Sequence, residues 1–158
     1  CFRCFSSIAL LNNYRKYTSC CIKMLTMKKD ITTRKDIELL VDKFYDKIKN
    51  DNQIGFIFTD IANVNWEKHL PVMYEFFENM LFYTSSYTGN PMELHKHVNR
   101  LFPLTDQHFK RWNSLFSTTV DELFKGDTAN LVKMRALSIS AVMQIKIAAE
   151  SSSSDKIF

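Results

Sequence analysis

"DIELLVDKFYDKI", residues 36–48, sets Ile37, Leu40, Val41, Phe44, Tyr45 and Ile48 at intervals of three and four, the spacing that lines one side of an α-helix with apolar groups. The same period returns downstream. "NWEKHLPVMYEFFENMLF" (65–82) predicts a second helix carrying Trp66, His69, Leu70, Met73, Phe77, Met80 and Leu81, with Pro71 early enough to distort its first turns without ending it. Thr105 caps a long helix with Phe109, Trp112, Phe116, Val120 and Leu123, and Gly126 and Asp127 separate a last one with Val132, Leu137, Ile139, Val142, Met143 and Ile147. "IGFIFTDI" reads as an apolar turn that puts Phe56 and Phe58 in a corner. Three Gly and three Pro in 158 residues leave little turn chemistry for a many-stranded sheet. The predicted fold is all-α, in one domain.

"GNPMELHKHVNRLF" (89–102) adds a short helix with a fixed beginning: Asn90 as N-cap, Pro91 in the first position and Glu93 where a capping box closes. His95 falls about one turn in, beside Met92, Val98 and Phe102, while His97 points elsewhere. Taken alone, His95 is a packed or half-exposed histidine. His97 and His108 read as solvated.

The net charge of +4 suggests nucleic acid or membrane until it is located. Residues 1–29 hold six of the 21 Lys and Arg (Arg3, Arg15, Lys16, Lys23, Lys28, Lys29) and none of the Asp or Glu, so the remainder is slightly acidic. Neither nucleic acid nor membrane is expected as a partner. All four cysteines, at positions 1, 4, 20 and 21, lie in this leader, without a second set of ligands at a zinc spacing. A cysteine-free core suits a reducing compartment, and a cytoplasmic location is expected. Residues 1–29 read as an untranslated, cleaved or disordered leader, with a transit peptide as the alternative for residues 1–26. Residues 30–149 form the domain, and the low-complexity stretch 150–158 reads as a disordered tail.

An all-helical domain with histidines invites two metal readings. A di-iron carboxylate bundle needs Glu-x-x-His, yet Trp66, Met92, Leu94 and Thr105 stand three before the four histidines. Haem asks less: one histidine on a helix, a large apolar pocket and a few polar groups.

"DKFYDKI", "IGFIF", "NWEKHLPVMYEFFENMLF", "NPMELH" and "HFKRWNSLF…TVDELFKG…MRALSISAVM" occur in that order from Asp36 to about Ile145. Together they resemble the truncated hemoglobins, specifically group III. The resemblance implies a truncated globin-type helical sandwich enclosing haem b, with His95 as the proximal iron ligand. It also implies that Phe44, Phe58, Met73 and Phe109 contact the cofactor, and that Tyr45, His69 and Trp112 face the ligand on the distal side. Phe77 departs from the tryptophan of many members. Gly-Gly turns typical of other truncated groups are absent, as in group III.

The function implied is binding of oxygen or another small gaseous ligand at a five-coordinate iron. Polar distal donors slow its release, which favours redox chemistry or sensing over bulk transport, with an unidentified reductase as electron donor. The alternative is a haem-free helical interaction module in which Tyr45, His69 and Trp112 are ordinary core or surface residues.

Overall fold

A computed structural model describes residues 28–154. The leader cysteines and residues 155–158 lie outside the described residues, as do the expectations that fall on them. Helix α1 (Arg34–Lys49) starts two residues before the sequence pattern does, because Thr33 is its N-cap and the Asp36 carboxylate accepts the Thr33 N–H at 3.0 Å. That closes a capping box, and the ion pair of Arg34 with Glu38 reinforces the first turns. Ile37, Leu40, Val41, Phe44, Tyr45 and Ile48 are all buried.

After α1 the chain turns at Gly55, where an added Cβ would sit 2.8 Å from the Ile48 carbonyl oxygen, so the corner closes only on glycine. Ile57–Ile61 then form a single wide turn in which the Ala62 N–H reaches back five residues to the Ile57 carbonyl at 2.8 Å. Helix α2 (Trp66–Phe82) is capped by Asn65, whose side chain accepts the Lys68 N–H at 3.1 Å. It continues through Pro71 and stops at Tyr83, which adopts a left-handed conformation at φ 56°.

Helices α3 (Pro91–Leu101), α4 (Asp106–Leu123) and α5 (Asp127–Ser154) complete the chain. Helix α1 packs on α2 and α4, while α5 packs on α2, α3 and α4. The result is one helix pair laid over another, with the short α3 held against α5. Phe116 of α4 stands at the centre: Phe44 meets it edge-on at 5.2 Å, and Phe77 and Trp112 stack on it at 5.2 Å each.

Two carboxylates tie distant segments to this frame. Asp51 accepts two N–H groups of Arg111, at 2.6 and 2.8 Å, and fixes the α1 corner to α4. Asp30 accepts the N–H groups of Thr128 and Ala129, at 2.9 and 2.8 Å, and so caps α5 from the other end of the chain. Lys28 and Lys29, assigned to the leader by composition, touch the fold: Lys28 donates to the Asp121 carbonyl and Lys29 pairs with Asp36. At the far end α5 runs on to Ser154, into the stretch read as a disordered tail. A Ser run offers no strong helix signal, but the preceding turns propagate into it.

Candidate functional site

The cap Asn65 and the α2 residues Lys68, His69, Val72, Met73 and Phe76 follow the three-and-four spacing of one helix face, and that face forms one wall of a cavity of about 590 Å³. Pro91, Leu94, His95 and Val98 of α3 form a second wall. His108, Phe109 and Trp112 of α4, with Ala136, Ile139, Ser140 and Met143 of α5, supply the rest, and Ile54, Ile57 and Phe58 close the corner. The volume lies within the roughly 300–1,000 Å³ of small-molecule and cofactor sites.

His95 is placed by its helix start. The Asn90 side chain accepts the Glu93 N–H at 3.3 Å, and Pro91 occupies the first helical position. One turn on, His95 Nδ1 lies 2.6 Å from the Pro91 carbonyl oxygen. A carbonyl only accepts, so Nδ1 carries the proton and Nε2 keeps its lone pair. Burial holds this imidazole below the ordinary histidine range, against the opposing effect of the Pro91 hydrogen bond.

Tyr45 is buried, and its hydroxyl stands 3.0 Å from His69 Nε2 with the rings edge-on at 5.1 Å. Burial pushes the Tyr45 phenol well above its ordinary range, so it stays protonated. Burial first, and the charge of His95 second, hold His69 below its ordinary range. The neutral imidazole so favoured can accept a hydrogen bond from the tyrosine hydroxyl. Trp112 is fixed by its stack on Phe116 and by the edge of Phe44 at 5.0 Å. Its indole N–H has no hydrogen-bond partner among the described residues.

The bacterial-like globin family model matches residues 27–144, the whole of this arrangement. The chain belongs to the bacterial-like globin family. This globin is 26% identical over 121 residues to the group 3 truncated hemoglobin of Campylobacter jejuni, a match covering 75% of this chain and 93% of the relative. It also superposes on the crystal structure of the group III truncated hemoglobin from Campylobacter jejuni with a TM-score of 0.67 and 26% identity, over 77% of this chain and 95% of that one. The group III resemblance read in the sequence and the all-helical truncated-globin fold therefore stand. Membership implies a haem cofactor and small-ligand binding.

The cavity fits that cofactor. It offers a largely apolar enclosure, one imidazole with a free Nε2 lone pair and a small set of hydroxyl, imidazole and indole groups. Among the described residues no three His, Cys, Asp or Glu side chains gather as a metal cluster; an iron held by a porphyrin and one imidazole needs none. No helix among them is long and apolar enough to cross a membrane.

The sequence-predicted residues His95, Tyr45, His69, Trp112, Phe58, Met73 and Phe109 all line this one cavity. Phe44 does not. It lies one layer behind, in edge or tilted contact with Tyr45, Trp112 and Phe116, because consecutive helical residues diverge and Tyr45 takes the cavity side. Phe77 does reach the cavity, stacked on Phe116. His97 is exposed as expected, but His108 is not simply solvated. Its Nδ1 accepts the Thr105 N–H at 3.1 Å in a capping box, and its ring reaches the cavity wall. That role had a signal, since His108 stands three residues after the Thr105 cap.

Tyr87 and Ser140 were missed altogether. Tyr87 is carried in by the loop after α2, edge-on to Phe76 at 5.2 Å. Ser140 is buried on α5 and accepts from Asn113 Nδ2 at 2.8 Å. The loop gave no periodic pattern, and serine in a helix gives no sign of which side it faces.

Proposed function

We propose that this globin binds haem b in the cavity, with His95 Nε2 as the proximal iron ligand. In this reading a small gaseous ligand, oxygen foremost, binds on the other face beneath Tyr45, His69 and Trp112. The observation that carries the reading is the His95–Pro91 contact of 2.6 Å on the wall of an apolar cavity. It fixes both tautomer and ring orientation before any metal arrives, which is what a proximal imidazole requires. Haem, when bound, supplies an iron with one open position for a diatomic ligand and a capacity for single-electron exchange. The core from Asp30 onward has no cysteine to form a thioether with a haem vinyl group, which favours haem b.

On the distal side Tyr45 holds a proton at its hydroxyl and Trp112 holds one at its indole nitrogen. His69 accepts from Tyr45 when no other acceptor is near and can turn to donate when one is. Donors set this closely slow the escape of a polarised ligand, which suits redox chemistry or sensing with an external reductase better than bulk transport. Phe58, Met73 and Phe109 exclude water from the ring, with Phe44 supporting Tyr45 and Trp112 from behind.

Absorption spectroscopy of the hemin-reconstituted protein tests this. The wild type should show a Soret band and a histidine-ligated ferrous spectrum. His95→Gly should lose the histidine signature and regain it on addition of imidazole, whereas His97→Gly should behave as wild type. No Soret band on reconstitution of the wild type, or loss of the signature in His97→Gly alone, overturns the assignment.

A further inference from the structure

The geometry points to Lys68 as the residue that pairs with a haem propionate and so sets which edge of the porphyrin faces solvent; the inference rests on the haem reading above. On α2, residues 65, 68, 69, 72, 73 and 76 share the cavity face, but they divide by depth. His69, Met73 and Phe76 are half-buried, whereas Asn65, Lys68 and Val72 are exposed while still lining the cavity. Around α3 and the loops, Asn63, Gly89, Asn90 and Leu94 do the same, with Leu94 55% exposed. These residues mark the rim. Val72 and Leu94 give it apolar edges suited to a flat hydrocarbon ring, and Lys68 gives it a charge.

A haem carries two carboxylates that stay in or near water, so the rim cations they meet help to fix its orientation. Most neighbouring cations are already engaged. Lys96 pairs with Glu93 and Glu150, and Arg100 pairs with Glu150. Lys49 sits over the Trp66 ring at 4.5 Å. His108 spends Nδ1 on the Thr105 N–H. Among the described residues Lys68 is the one ammonium lining the cavity, and its side chain has neither an ion pair nor a hydrogen bond with any of them. Its four-carbon stem can lie along the rim beside Val72 while the charged end reaches a carboxylate at the water boundary.

The test compares hemin with hemin dimethyl ester, whose propionates carry no charge, by the rate at which each passes from the globin to excess apomyoglobin. For hemin, Lys68→Ala should lose its cofactor roughly two- to fivefold faster than wild type, as befits an exposed ion pair. That ratio should shrink in high salt. Lys68→Arg should retain hemin as wild type does, and Lys68→Glu should lose it faster still. For the dimethyl ester, wild type and Lys68→Ala should lose it at the same rate. Equal hemin loss from wild type and Lys68→Ala overturns the Lys68 assignment alone, as does a Lys68→Ala effect of the same size with the ester. A wild type that binds neither form overturns the haem reading beneath it.

Discussion

Tyr45 holds two partners in prospect with one proton. Its phenol remains protonated because burial disfavours the anion, and in the ligand-free arrangement that proton is within reach of His69 Nε2 at 3.0 Å. In the proposed reading, a gaseous ligand arriving beside Tyr45 competes with His69 for it. If a charge-assisted bond contributes about 1.5–3 kcal/mol, Tyr45→Phe should speed oxygen release roughly ten- to a hundredfold. Trp112→Phe should act in the same direction, with a small void added. The double variant should fall short of the product, since His69, freed from Tyr45, can turn to donate in its place. Stopped-flow oxygen dissociation measures all three, and a Tyr45→Phe rate equal to wild type would assign the hydroxyl to His69 alone. What could be read of this site in sequence was residue type and order. Phe44, expected among the cofactor contacts, lies behind the cavity surface that Tyr45 lines, because one residue along a helix rotates the side chain to a different neighbour.

Caps and buried carboxylates fix the elements, and they make folding depend on pH with a definite sign. Asp30, Asp36 and Asp51 are all partly or fully desolvated, which alone would raise them, yet each is held below the ordinary carboxylate range by its donors. For Asp30 these are the N–H groups of Thr128, Ala129 and Ile31, for Asp36 Lys29 and the Thr32–Thr33 backbone, and for Asp51 Arg111 with the Gln53 and Ile54 N–H groups. A lowered folded-state value means the stabilisation is present above the unfolded carboxylate value, about 3.9, and fades as pH drops below it. Asp36→Asn should therefore melt below wild type at pH 7, with the gap narrowing between about pH 4 and pH 2. A gap that stays constant across that interval would remove Asp36 from the acid transition.

Asp30→Ala should cost on the order of 1 kcal/mol as a lost α5 cap, read from urea unfolding at pH 7. Gly126→Ala should disturb the same cap, since an added Cβ would stand 2.2 Å from the Asp30 carboxyl carbon. Helix starts at Asn65, Asn90 and Thr105 were legible because a cap lies within four residues of what it caps. The Asp30 cap was not, since 98 residues separate it from Thr128 and only the closed fold brings them together. The onset of α1 was misread by two residues for a smaller reason: Thr33 and Asp36 form their box ahead of the apolar pattern.

At the scale of the whole molecule, two helix pairs enclose a space that their own side chains leave open. Protein interiors otherwise reach the density of organic crystals, and here about 590 Å³ is given over to a guest. Helix order could be inferred from periodicity, and the helical sandwich from the family resemblance. The size of the opening could not, since it depends on where five helices stop approaching one another. That space has a mechanical consequence. Unfolding eliminates internal voids and so decreases the system's volume, which lets pressure drive it. The cofactor-free globin should unfold at a markedly lower hydrostatic pressure than the hemin-loaded form, by more than their difference in urea stability accounts for. Fluorescence of Trp66 and Trp112 under pressure follows the free form, and the Soret band follows the loaded one. A common midpoint for both would mean that the helices collapse inward when the guest leaves. If the midpoints separate as expected, the helices act as a stiff arch around the guest, and the pressure of unfolding reports occupancy without reference to ligand chemistry.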